Sequence, residues 1–231
     1  MQTTTINHPV REVWTKAGPI ESAAADTTEL RRVEEVHQAQ IGDATPMGLF
    51  GLATGTLVIG FVLSGLTPYT GLPAVIPSVM VFAGFAQFIA GLYAFSKGNS
   101  FAGTAMCSFG ANYVFVTAFI WMQQAGLIPK GHPEDVLLGV GLCCLGYIAL
   151  ALAIAAMRVN LALVATLLAL VPGYALPGIR EFGAPAVIGH IGGGFLLLAA
   201  LLAFYTASAL VINSTHERSV LGLGRITSDY K

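Results

Sequence analysis

The chain has 231 residues, of which 55% are apolar and only 10% charged, with a net charge of −1 and a mean hydropathy of +0.73. Soluble domains carry about 25% charged residues, so the composition argues against a soluble enzyme, and near-neutrality leaves no electrostatic footprint for nucleic acid. The three cysteines, Cys107, Cys143 and Cys144, sit in apolar runs and match neither zinc-site spacing nor a disulfide framework.

Residues 1–42 are polar. No basic stretch followed by an apolar one opens the chain, so no cleavable signal peptide is expected. Asp26 is placed to cap a short helix with Leu30, Val33 and His37 on one stripe. The rest of the segment is expected to be a mostly disordered cytoplasmic tail.

Of the 23 charged residues, 11 precede Ala44 and 5 follow Ile212. The 169 residues between carry only Lys97, Lys130, Glu134, Asp135, Arg158, Arg180 and Glu181, each at a break between apolar runs. A membrane span needs about 20 apolar residues. Cutting at the breaks predicts an all-α integral membrane protein with six spans, at 47–66, 75–96, 101–123, 136–157, 159–176 and 186–212. The breaks carry turn residues such as Thr67-Pro68, Gly71-Leu72-Pro73, Lys97-Gly98-Asn99 and Pro129-Lys130-Gly131. The fifth span is expected to end around Pro172, Gly173 and Pro177. The resulting organisation is a tail at 1–42, a six-helix domain at 43–213 and a C-terminal tail at 214–231. Arg31, Arg32, Lys97, Arg158, Arg218, Arg225 and Lys231 fall on one side of these spans, and only Lys130 and Arg180 on the other. That asymmetry places both termini in the cytoplasm and the protein in the cell membrane.

Small residues let helices approach closely in lipid. Gly51 and Gly55 pair on the first span, Gly84 and Gly91 on the second, and Gly189 and Gly193 on the last. Tight packing within one bundle is the plainer reading of these pairs, and contact between subunits the sharper one. Polar side chains at membrane depth face the bundle interior or a cavity. Thr104, Ser108 and Asn112 recur every four residues on the third span, and Gln87 sits in the middle of the second. Thr56, Gly60 and Ser64 repeat the spacing on the first, and Thr166 lies in the fifth. Ser and Thr hydroxyls bond their own helix backbone. The amides of Gln87 and Asn112 have more donors and acceptors than one helix satisfies. His190 is the one imidazole in a span, a candidate proton-sensitive group or a neutral, hydrogen-bonded one. No Asp, Glu, Lys or Arg lies at bilayer depth, which argues against a carboxylate proton relay or a voltage sensor. Neither HExxH, a P-loop nor a haem-ligand pair is present, so no catalytic residue, cofactor or metal is assigned. A narrow pathway for a small neutral molecule or small anion is what remains.

Three segments resemble the acetate uptake transporter family. The family's Asn-Pro-Ala-Pro-Leu-Gly-Leu corresponds to Asp43-Ala44-Thr45-Pro46-Met47-Gly48-Leu49. Its Gly-Gly-x-x-Gln-x-x-Ala-Gly, Gly-Asn-Thr-Phe and Ser-Tyr-Gly correspond to the run from Ala83 through Gln87 to Gly91, to Gly98-Asn99-Ser100-Phe101 and to Ser108-Phe109-Gly110. Gly189-His190, Tyr205, Asn213 and Arg218-Ser219-Val220-Leu221 also resemble family members, so the likeness spans about 43–224. The resemblance implies a ring of six subunits with one acetate pathway in each. It also implies an apolar constriction from the first, third and fifth helices, which falls here on Leu52, Phe109 and Leu167. Leu52 and Phe109 stand where the family carries Phe and Tyr.

On this reading the protein passes acetate and other small monocarboxylates, with succinate as a further solute, and is not an enzyme. Gln87, Asn99, Ser108, Asn112 and Thr104 are the candidate solute-binding residues, and Pro46, Met47 and Gly48 shape the entrance. Two alternatives stand beside it. One is a channel for a neutral solute such as ammonia or urea. The other is a non-transporting membrane sensor or interaction protein that works through its N-terminal tail.

Overall fold

The structure, a computed structural model, describes residues 31, 42–129, 131 and 133–224. The Asp26 cap, the character of the tail, and Arg32, Lys130, Arg225 and Lys231 from the orientation argument lie outside the described residues. The chain divides into two units between Gly42 and Asp43. Six helices in the second unit are long and apolar enough to cross a membrane. They are α1 (Thr45–Leu63), α2 (Leu72–Ser96), α3 (Ser100–Gln124), α4 (Glu134–Ala156), α5 (Leu161–Glu181) and α6 (Ala186–Thr215).

Local chemistry sets the boundaries. Pro46 opens α1, where its missing N–H is not needed. At the α2–α3 turn Gly98 takes φ +73°, and the Asn99 side chain then accepts the Ala102 N–H at 3.0 Å. Asn160 caps α5 in the same way, accepting from Leu163 N–H at 2.8 Å. Glu134 and Asp135 occupy the first turn of α4, and Arg180 the last turn of α5, signs that suit the helix dipole.

Two helices depart from expectation. The fifth span does not end at its prolines; α5 runs through Pro172 and Pro177 to Glu181. Prolines are tolerated in membrane helices because neighbouring helices and local adjustment satisfy the freed carbonyls. Here α6 packs directly on Pro177, whose ring would meet a Cβ on Gly192. In α2 the expected plain helix is interrupted. An α-helical start (Leu72–Ser78) passes into π-helical geometry (Val79–Ala86) and back to α-helix (Gln87–Ser96). The change follows Pro77, which removes a donor from the regular ladder. The wider turn brings Val79, Ala83 and Gln87 to the buried face while Val81, Phe85 and Ile89 point outward.

Successive helices are neighbours, and α6 returns to α1, which closes a ring. Glycines set its tightest crossings. A Cβ on Gly110 would lie 2.7 Å from Phe88 N and 2.9 Å from Gly84 O, fixing α3 against α2. Gly139 and Gly178 do the same for α4 and α5, each facing the other's carbonyl. Gly193 brings α6 onto the α1 backbone at Ser64. The small-residue pairs read from the sequence therefore serve packing inside the chain. Across the ring, α3 and α5 meet through large side chains, with the Phe109 and Tyr174 rings stacked at 5.9 Å.

Candidate functional site

The helices alternate in direction, so α1, α3 and α5 all begin at one end of the bundle, beside Asp43 and the end of α6. This is the terminal face. A cavity of about 180 Å³ enters the bundle there. Asp43, Thr45, Gly48, Asn99 and Asn160 surround its mouth. Leu52, Phe109 and Leu167 are its deepest residues on α1, α3 and α5. Along α3 the lining runs from Asn99 to Phe109, roughly 15 Å at 1.5 Å per residue. That is about half of a 30 Å hydrocarbon core.

The wall is mainly apolar, and its polar groups are specific. Asn99 and Asn160 spend their carbonyl oxygens on helix caps, so the donor capacity of their amides is not used there. Asn160 is only 5% exposed. The Thr166 hydroxyl donates to Ala162 O at 2.8 Å and so offers the cavity only acceptor capacity. Gln87 is 1% exposed, and its Oε1 has no hydrogen-bond partner among the described residues. Leaving such an atom unpaired costs about 1–3 kcal/mol.

A second cavity, of about 70 Å³, opens from the opposite face. Ile59, Leu63, Asn112, Val116 and Leu142 line it, with Arg180 and Glu181 paired at 3.3 Å toward its rim. One layer of side chains divides the two cavities. Phe109, 1% exposed, belongs to the first; Tyr113 and Tyr174 belong to the second; Leu170 and Thr56 are buried with them. Thr56 Oγ1 donates to Leu52 O at 2.5 Å and lies 2.6 Å from the Tyr113 hydroxyl. That hydroxyl accepts from Tyr174 Oη at 3.4 Å. From Phe109 to Tyr113 the layer is one turn of α3, about 6 Å thick.

The sequence-predicted residues are distributed unevenly over this arrangement. Leu52, Phe109, Leu167, Gln87, Asn99 and Gly48 all line the first cavity. Pro46 and Met47 occupy the first turn of α1 beside that mouth, Met47 being 40% exposed. Asn112 lines the second cavity. Ser108 is half-buried and lines neither, and Thr104 is exposed on the outside of α3. His190 is exposed near the start of α6 beside Gly65 and also lines neither. Asn160 was missed, although an Asn before an apolar run is an N-cap signal. Tyr113 and Tyr174 were missed as well; a mid-span tyrosine that needs a partner for its hydroxyl was the available sign. Among the described residues, no three His, Cys, Asp or Glu side chains cluster as a metal site.

Residues 26–224 match the GPR1/FUN34/yaaH family. The succinate-acetate/proton symporter SatP of Escherichia coli K12 is 29% identical over 186 residues, covering 80% of this chain and 96% of the relative. Ammonia transport outward protein 2 of Saccharomyces cerevisiae is 26% identical over 174 residues, 74% of this chain and 61% of the relative. The solved structure of the bacterial acetate channel SatP shares the fold with a TM-score of 0.74 at 28% identity, covering 80% of this chain and all of that one. A match over most of the chain, carried by six membrane-spanning helices, makes this protein a member of the GPR1/FUN34/yaaH family.

Proposed function

We propose that the protein passes acetate across a membrane, with succinate as a further solute, along a line joining its two cavities. The observation that carries this reading is the blind end of the first cavity. Leu52, Phe109 and Leu167 meet there from three helices, and Gln87, whose buried Oε1 is unpaired, lines the same space. A solute gathers at the mouth shaped by Pro46, Met47 and Gly48, where the Asn99 and Asn160 amides replace part of its hydration. It then sheds water against the apolar end. Gln87 compensates that loss, and its free acceptor suits a carboxyl in the protonated form, which carries an O–H donor. Passage requires Phe109 and Tyr174 to swing apart; Asn112 receives the solute beyond them. The work is binding, dehydration and gating, and no chemical conversion is part of it. The terminal face is the cytoplasmic one on the Lys and Arg asymmetry, and six such chains form the ring in the cell membrane.

Ammonia is the second reading, favoured by the same Gln87 acceptor, which suits an N–H donor, and by the name of the yeast relative. Uptake of labelled acetate into proteoliposomes tests both. Protein-dependent uptake, inhibited by propionate and indifferent to ammonium and urea, is expected. Inhibition by ammonium would favour the second reading, and absence of any flux would overturn both.

A further inference from the structure

The chain does not stop at the end of α6. His216 caps the helix through its N–H to Ile212 O, and Glu217 then turns the backbone with φ +52°, a left-handed conformation uncommon outside glycine. Residues 218–224 run back across the terminal face as a strap, held by hydrogen bonds to two different helices. On α6, Asn213 uses its whole amide: Oδ1 accepts from Val220 N at 2.7 Å and Leu221 N at 2.9 Å, while Nδ2 donates to Leu221 O at 2.9 Å. Also on α6, the Tyr205 hydroxyl donates to Gly222 O at 2.5 Å. On α5, the strap supplies the acceptors. Leu161 N–H donates to Gly224 O at 2.8 Å and Ala162 N–H to Leu223 O at 3.2 Å. These are the first N–H groups of α5, which have no partner within their own helix. Gly224, at φ +66°, lets the strap lie against the Leu161 side chain.

The strap also encloses space. A recess of about 620 Å³ lies between it and the mouth of the first cavity. Asp43, Val159, Asn160 and Leu210 line both, so the two adjoin. The strap is thus the outer wall of an antechamber beside the mouth of the first cavity.

We infer that Asn213 is a positioning residue for transport: its amide clamps the 218–224 strap as the wall of the antechamber at the terminal-face mouth. The inference rests on the proposed transport reading for its effect on flux, and on geometry alone for its effect on access. The wall holds solute beside the helix starts and the Asn160 amide, away from bulk water, where the field of those groups is focused. Releasing it weakens capture at the mouth and leaves the ring layer untouched.

The experiment has two readouts. For access, Leu210→Cys is introduced with Cys107, Cys143 and Cys144 replaced, and its labelling by an impermeant maleimide applied to the terminal face is timed. Asn213→Leu, which loses all three bonds, should speed labelling about fivefold, roughly the net worth of one hydrogen bond. Asn213→Asp, which keeps both acceptors, should fall between it and the parent. Tyr205→Phe, which removes one hydroxyl, should act in the same direction to a smaller extent. For flux, the same Asn213 and Tyr205 substitutions are measured with Leu210 intact. Acetate presented at the terminal face should show a half-saturating concentration raised roughly threefold to fivefold, with maximal flux held within about twofold. Unchanged labelling in both Asn213→Leu and Tyr205→Phe overturns the inference. So does a fall in maximal flux with unshifted half-saturation, which marks a merely structural residue. If Asn213→Leu does not fold, Tyr205→Phe still decides. Labelling that behaves as stated in a protein that moves no acetate keeps the strap and removes the transport reading.

Discussion

The two halves of the pathway are lined throughout by α1, α3 and α5, yet they present opposite ends of those helices to a solute. At the terminal face the three helices begin, so their positive dipole ends surround the mouth, with first-turn N–H groups taken up by Asp43, Asn99, Asn160 and the strap. The cavity there is the larger, about 180 Å³ against about 70 Å³, and carries the amides of Asn99, Asn160 and Gln87. At the opposite face the same helices end, and their carbonyl ends are electronegative. That half has one amide, Asn112, and a cation, Arg180, in the last turn of α5. For the proposed anion, backbone dipoles favour approach at one face, whereas a side chain has to do so at the other. On the proposed path the barrier lies in neither cavity but in the ring layer between them.

The largest effect is expected from removing that layer. Phe109→Ala deletes the ring that stacks on Tyr174 and closes the first cavity. The two cavities then join and the difference between the halves collapses. Acetate flux should rise at least about tenfold, equivalent to lowering the barrier by roughly 1.4 kcal/mol, and larger acids should pass. Flux in proteoliposomes, normalised to folded protein, measures it. A flux at or below the parent value would place the barrier elsewhere.

A finer cut keeps the layer and widens only its approach. Leu167 lines the blind end, whereas its neighbour Leu168 faces outward at 50% exposure. Leu167→Ala should raise the succinate-to-acetate flux ratio about fivefold, roughly 1 kcal/mol of barrier, and Leu168→Ala should leave it unchanged. Equal shifts from both would show that loosening α5, rather than widening the path, is responsible. Leu163 is no control for this purpose, because it lines the same cavity one turn nearer the mouth.

What was legible in the sequence follows from which interactions are local. The six spans were readable because charge is confined to the breaks between them. The end of α5 was not, because Pro172 and Pro177 terminate helices in water but are absorbed here by close packing against α6. The stripe of Thr104, Ser108 and Asn112 looked like one face. At 3.6 residues per turn, however, each four-residue step advances about 40°, so Thr104 and Asn112 stand about 80° apart. That rotation leaves Thr104 outside and carries Asn112 into the second cavity. The ring layer was illegible because the partners of Tyr113 are 57 and 61 residues away, and no spacing rule connects them. Leu52, Phe109 and Leu167 came from family likeness alone; spacing gives no reason to group them. Gln87 was legible on chemistry, as an amide that its own helix leaves unsatisfied.

That amide separates function from stability within the first cavity. Gln87→Leu removes a buried acceptor that has no partner. It should stabilise the protein by about 1 kcal/mol, read as a raised unfolding midpoint in detergent, while lowering acetate flux roughly threefold. Loss of both stability and flux would instead mark Gln87 as a packing residue of the α1–α2 contact, where it faces Gly51.

The smallest effect is expected at the two mouths, and it tests the opposition between the faces most directly. Asp43 is exposed at the terminal mouth, its Oδ1 accepting from Thr45 N at 3.0 Å and Thr45 Oγ1 at 2.6 Å. Its negative charge works against the three helix starts around it. Arg180, with its side chain 40% exposed, works with an approaching anion at the other mouth. A unit charge about 10 Å away in water changes an anion's energy by roughly 0.4 kcal/mol, a factor of about two in local concentration. Asp43→Asn should therefore raise acetate flux entering from the terminal face about twofold, with little change in the other direction. Arg180→Gln should lower flux entering from the opposite face by a similar factor, with Glu181 left as an uncompensated like charge beside the path. Both effects should fade in 1 M salt, where the screening length falls to about 3 Å. Oriented proteoliposomes loaded on one side at a time separate the directions. Unchanged flux in both substitutions would mean that the solute crosses the mouths uncharged. The opposition between the faces would then have no bearing on transport, and Gln87's preference for the protonated acid would govern the whole path.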